Sequence, residues 1–287
     1  MPRLVLASLV FAASVSSALA GPASGTVKTS TGTITVKQAV AYTVRDARNA
    51  RSRQVEVLLT DLPVDAASLG GALDPHARAI NLEALKDRNY LLLWINVDGA
   101  VTMNATYART MTQYINDGEG GLKGELTTNT AAKVEGRVYS PSPLQAMGKE
   151  PYTIDVKFSA DVIPAPTGPP LPAGGGEPGK AFTALMSAIA KKNWAGIKAG
   201  LSPATLPMFE KDYNTPAENL SSAIDILKAW LPLDKAKVTG GVQVSETDAV
   251  LELEGQTFGT RMLTLVRMTK TGAAWQFGES VNAGILR

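Results

Sequence analysis

The sequence predicts two domains: an all-β N-terminal domain of the β-sandwich type and a smaller α+β domain with helices packed on a curved antiparallel sheet. Three observations predict this. Apolar residues alternate with period two through residues 21–163, helical spacing opens at about residue 180, and period two then returns to the end of the chain. Between the two regimes lies the run 164–178, Pro164-Ala-Pro-Thr-Gly-Pro-Pro-Leu-Pro-Ala-Gly-Gly-Gly-Glu-Pro178, whose composition is that of an inter-domain linker. The expected division is a signal peptide at 1–20, a β-sandwich domain at 21–163, the linker at 164–178 and the α+β domain at 179–287.

Met1-Pro2-Arg3 is a short basic start, Leu4 to Val15 an apolar stretch, and Ala18-Leu19-Ala20 a small-x-small cleavage pattern before Gly21. The apolar stretch is too short to span a hydrocarbon core of about 30 Å, so it predicts export to the periplasm or outside a bacterial cell rather than an anchor. No other stretch reaches membrane-spanning length. The chain has no cysteine, which excludes disulfides and leaves stability to apolar burial.

Tyr152, Ile154, Val156 and Phe158 alternate with Thr153, Asp155, Lys157 and Ser159, as a half-buried strand requires. Val101 to Tyr107 repeats the pattern, and Val134 and Val138 flank Gly136 on one face. Leu91 to Ile95 is apolar on both faces and predicts a central strand. Asp98-Gly99 before Val101 is a hairpin signal. Further strands are predicted at Thr33–Val36, Ala39–Val44 and Gln54–Thr60, with one or two short helices in the excursion Asp61–Arg88. Beyond the linker, Phe182, Leu185, Met186 and Ile189 form a helical stripe. Ser202-Pro203 starts a short helix, and the capping box Thr215-Pro216-Ala217-Glu218 opens another whose apolar face is Leu220, Ile224, Leu227 and Leu231. Four strands follow, at Val238–Val244, Ala249–Glu254, Met262–Met268 and Ala274–Phe277.

That order resembles the nuclear-transport-factor-2-like (cystatin-like α+β cone) superfamily. The likeness rests on the helix Ala181–Asn193, the run Asn193-Trp194-Ala195-Gly196-Ile197, the strand Ala249–Gly255 and the ending Ala274-Trp275-Gln276-Phe277. It covers roughly the last third of the chain and implies a curved sheet that wraps a helix and leaves a pocket at its open end. Enzymes of this superfamily place an acidic base and polar donors in that pocket. No position here matches such a set residue by residue, so no catalytic residue is carried over. The N-terminal region is similar to exported bacterial β-sandwich proteins.

The summed charge is near neutral, with 28 Lys+Arg against 26 Asp+Glu. No dense basic stripe is present, so nucleic acid is not an expected partner. One histidine and no cysteine make a zinc centre unexpected, and no cofactor motif occurs. His76 is the sole imidazole, in Asp74-Pro75-His76-Ala77-Arg78, and reads as a loop residue facing solvent. Arg45, Arg48, Arg51 and Arg53 cluster between two predicted strands, as a polar hairpin tip or a contact for an acidic partner. Glu252 and Glu254 share one strand face with Val250 and would serve as an acid–base pair only if buried. Trp230, Trp275 and Tyr213 are the aromatic residues expected near a pocket in the C-terminal domain.

The leading expectation is an exported protein that binds a small ligand or an envelope protein without catalysis. The alternatives are a hydrolase or isomerase using the C-terminal pocket, and an assembly or inhibitor module acting through the Arg45–Arg53 loop.

Overall fold

A computed structural model describes residues 20–108, 112–116, 121–145, 150–207, 210, 234–257 and 259–287. Residues 1–19 of the expected signal, the expected helix over 215–231, and with them Tyr213 and Trp230, lie outside the described residues.

Nine strands form the first sheet: β1 (Gly21–Thr29), β2 (Gly32–Asp46), β3 (Asn49–Thr60), β4 (Asn89–Asn96), β5 (Val101–Tyr107), β6 (Thr112–Asn116), β7 (Lys123–Asn129), β8 (Lys133–Tyr139) and β9 (Thr153–Ile163). Their order is β6-β5-β4-β3-β2-β1-β9-β8-β7. Neighbours run antiparallel, apart from a short parallel contact of Ala41 and Tyr42 with Val162 and Ile163. The strand series of the sequence is present, but as one continuous antiparallel sheet that curls. Its two ends approach each other: Asn129 Nδ2 donates to the Asn96 carbonyl at 2.9 Å, and a Cβ on Gly124 of β7 would stand 2.7 Å from Val101 Cγ2 of β5.

The inner face of the curl is buried by Val27, Val57, Leu93, Met103, Val138 and Val156, among others. Over the outer face of β2–β4 lies the segment 61–88, with 3-10 turns at Ala66–Leu69 and Glu83–Leu85 and the helix α1 (Pro75–Ile80). Its Val64, Leu69, Ala79 and Leu85 cover Val40, Tyr42, Leu58 and Leu92. That cover is why Leu91–Ile95 is apolar on both faces. Helix α1 begins where it does because Asp74 accepts from the Ala77 amide at 2.8 Å and Pro75 occupies the first turn.

The segment 164–178 runs beside the second sheet: Leu171 N donates to Gly241 O and Gln243 N to Pro169 O, each at 2.9 Å. Its glycine half turns through Ala173–Gly175 into α2 (Gly176–Ala190), and α3 (Trp194–Gly200) follows with Asn193 as cap. Four antiparallel strands then pair in chain order: β10 (Asp234–Ser245), β11 (Asp248–Thr257), β12 (Thr260–Thr271) and β13 (Ala274–Ile285).

Both faces of this small sheet are buried. Leu251, Leu253, Val266, Met268 and Phe277 meet Phe182, Leu185, Ile189 and Ile197 of the helices. On the reverse face, Val250, Leu263, Leu265 and Ala283 join Ala50 and Leu73 of the N-terminal unit. This fourth core joins the two units. Each larger aliphatic side chain in it contributes about 1.5–3 kcal/mol, more than the ion pairs along its rim. No helix among the described residues is long and apolar enough to cross a membrane.

Phe277 is fully buried between the helices and the small sheet. Phe277→Ala should therefore lower stability in urea unfolding by about 3–5 kcal/mol.

Candidate functional site

The β2–β3–β4 register sets Tyr42, Glu56 and Trp94 side by side, because Glu56 pairs with Tyr42 on one flank and with Trp94 on the other. All three occupy the outer face of the curled sheet. Helix α1 carries His76 over this row. Tyr42 Oη donates to Glu56 Oε1 at 2.6 Å, and His76 Nδ1 lies 2.7 Å from the same oxygen. The indole of Trp94 is 6.2 Å from the imidazole, ring centre to ring centre.

Glu56 is 1% exposed, and its Oε2 is buried without a hydrogen-bond partner among the described residues. A carboxylate in such a place needs a compensating charge, because burying an unpaired one costs several kcal/mol. The His76 ring supplies it. The hydrogen bond to Glu56 holds the His76 pKa above its ordinary value, with burial working in the opposite direction and the charges of Glu56 and Asp74 adding to the rise. Burial, then the neighbouring Glu56, pushes the Tyr42 hydroxyl well above its usual range, so it stays a neutral donor.

The row opens on a cleft of about 250 Å³ between the units. Val44, Leu73 and Pro75 form its N-terminal wall, Leu265, Val281 and Ala283 its C-terminal wall, and His76, Trp94, Arg45, Asn282 and the carboxylates of Glu56 and Asp74 bring polar or aromatic groups to it. A smaller lobe of about 100 Å³ continues past Arg45, Leu73 and Leu265 to Thr43, Arg53 and Glu252. With Nδ1 held by Glu56, His76 presents Nε2 on the far side of its ring, and Nε2 has no protein partner among the described residues. An imidazole oriented by a carboxylate can give or take a proton at that nitrogen. Among the described residues, the lining of the main lobe holds no Ser, Thr, Cys or Lys.

The structure brings two of the expected sites together. Arg45 Nη2 donates to Glu252 Oε1 at 3.0 Å and Arg51 Nη2 to Glu254 Oε1 at 3.2 Å. Both pairs bridge the β2–β3 hairpin and β11. Glu254 also accepts from Arg261 at 3.0 Å. Arg267, on the same sheet face, pairs with Asp248 at 2.9 Å and reaches across to the Gly71 carbonyl. Arg48 and Arg53 are exposed and make no ion pair among the described residues. Trp275 lies on the opposite face of the small sheet, half-buried against the helix-facing core, with Lys270 Nζ 5.9 Å from its ring. It is therefore separated from Glu252 and Glu254. His76, expected in an open loop, sits on α1 with its ring 37% exposed and held by Glu56.

The sequence reading missed Glu56 and Tyr42. A signal was present: Glu56 shares a strand face with Leu58 inside Val55–Leu59, a run apolar on both faces, where a carboxylate must be buried and partnered. What the sequence did not carry was the partner, 20 residues away on a short helix. No protein-family model, curated protein or solved structure matches this chain.

Two outcomes follow. A double-mutant cycle on Arg45 and Glu252, whose side chains are 21% and 39% exposed, should give a coupling below about 1 kcal/mol that shrinks with added salt. Because the folded-state pKa of His76 lies above its unfolded value near 6.5, its contribution to stability is complete below that pH and is lost as pH rises through the folded pKa. Urea unfolding across pH 5–9 should show that decline in the wild type and a flatter profile in His76→Gln.

Proposed function

We propose that this chain is an exported bacterial envelope protein that works by binding rather than by catalysis, and that it holds a small ligand in the cleft between its two units. The observation that carries this reading is the cleft itself. Apolar walls from two separate sheets face each other, and a few polar groups converge between them, the usual make-up of a small-molecule site. An interface closed by its own apolar core supports the reading, since it presents those walls already formed. The basic start, apolar stretch and Ala18-Leu19-Ala20 pattern support export.

Within this proposal the N-terminal sheet is a sandwich-type support, and the C-terminal unit is a cone of the nuclear-transport-factor-2-like kind. Helices ahead of four antiparallel strands, packed on one sheet face, support the second assignment. Residues of the C-terminal unit then act through the reverse face of their sheet. Arg48 and Arg53 are the cationic side chains left for an acidic partner protein. Arg45, Arg51, Glu252 and Glu254 serve as the clamp between the units.

Native mass spectrometry of the protein isolated from its own cell envelope tests the proposal. The wild type should carry a small-molecule adduct, and Val281→Trp, which places an indole in the cleft, should lose it while keeping its circular dichroism spectrum. An adduct that survives in Val281→Trp would place the ligand elsewhere.

A further inference from the structure

Two side chains of the main lobe, His76 and Asn282, leave donors open beside the carboxylates of Glu56 and Asp74, and these donors select a ligand class. Glu56 is enclosed under the His76 ring with one oxygen shared by Tyr42 and His76 and the other unpartnered among the described residues. The positive group facing that carboxylate is the imidazole. An imidazolium carries N–H groups on both nitrogens; Nδ1–H is spent on Glu56, so Nε2–H is the donor His76 has left, and His76 lines the cleft. Asn282 Oδ1 accepts from the Gly284 amide at 3.0 Å, which leaves the Nδ2 hydrogens to donate. The guanidinium of Arg45 is engaged by Glu252 and by the Ala50 carbonyl. Asp74 spends a carboxylate oxygen on the α1 cap. From the small sheet, Leu265, Val281 and Ala283 bring no charge.

Resting on the binding reading above, we propose that the cleft takes a small organic carboxylate with a flat apolar body. Its carboxylate accepts from His76 Nε2–H and Asn282 Nδ2–H. Its body lies along Trp94 and between Leu73 and Leu265, where an aromatic or planar group gains contact on both sides. At about 250 Å³ the lobe suits a molecule smaller than drug size. The raised His76 pKa agrees with the geometry, since it keeps the second donor in place toward neutral pH.

Ligand-observed NMR titration of the full mature chain with benzoate, benzamide and benzylamine tests the class. These probes share a ring and differ in charge. Benzoate should bind best near pH 5.5 and lose about tenfold or more in affinity by about pH 8.5, the size of one charge-assisted hydrogen bond. His76→Gln should remove that pH dependence and weaken benzoate binding by a similar factor. Equal or tighter binding of benzamide or benzylamine would overturn the carboxylate inference, as would benzoate binding unchanged in His76→Gln and flat with pH. Either result leaves the cleft reading standing if Val281→Trp abolishes the binding seen. If none of the three binds, the carboxylate inference falls. If the natural adduct also persists in Val281→Trp, the cleft reading falls with it.

Discussion

The reverse face of the small sheet is apolar where Val250, Leu263, Leu265 and Ala283 project from it, and that surface cannot stay in water without cost. The helices already occupy the other face, so the N-terminal unit is what covers it. Ala50 on the β2–β3 hairpin and Leu73 on the 61–88 segment supply the contact. Everything between the units follows from this packing. The hairpin's arginines arrive beside Glu252 and Glu254, helix α1 is held near the sheet edge, and the space left around His76 and Trp94 becomes a cleft.

Charge plays the secondary part in that arrangement. Arg45–Glu252 and Arg51–Glu254 are partly exposed, and such pairs contribute at most about 1 kcal/mol each. Their effect is on register and orientation, since a cluster of arginines facing two carboxylates disfavours a slipped hairpin position. Glu56 is a different case. It is buried within Val55–Leu59, whose other residues are apolar, and among the described residues its partners are Tyr42 and His76.

Much of the fold was legible because burial imprints a period on the chain. Alternation and apolar runs located ten of the thirteen strands, including the two-sided Leu91–Ile95, and the order of helices before four strands in the second unit. The strands it passed over explain the limit. β1 is Gly, Ala, Ser and Thr through most of its length, and Gly25 sits at φ +118° where a Cβ would meet the Asp155 carbonyl at 2.0 Å. Its residues are chosen for close approach to β9, so the apolar rhythm is absent. β6 is short, and β7, Lys123–Asn129, is largely exposed at the sheet end. In the candidate site, the sequence supplied His76, the arginines and the glutamates as separate clusters. It gave no sign that Arg45 would meet a residue 207 positions later.

By itself the sequence determined which residues share a face in the strands that alternate, where the chain changes from strands to helices, and that cysteine and histidine are too few for a zinc centre of those ligands. These are local properties, written in the spacing of apolar residues and in which side chains exist at all. Only the tertiary structure decided that the strands of the first unit make a single curled sheet, that both faces of the second sheet are covered, and that Tyr42, Glu56, His76 and Trp94 stand together at a cleft. Pairings between distant segments depend on which surfaces remain to be buried after each unit has formed. That remainder is a property of the assembled surfaces, and no window of residues contains it.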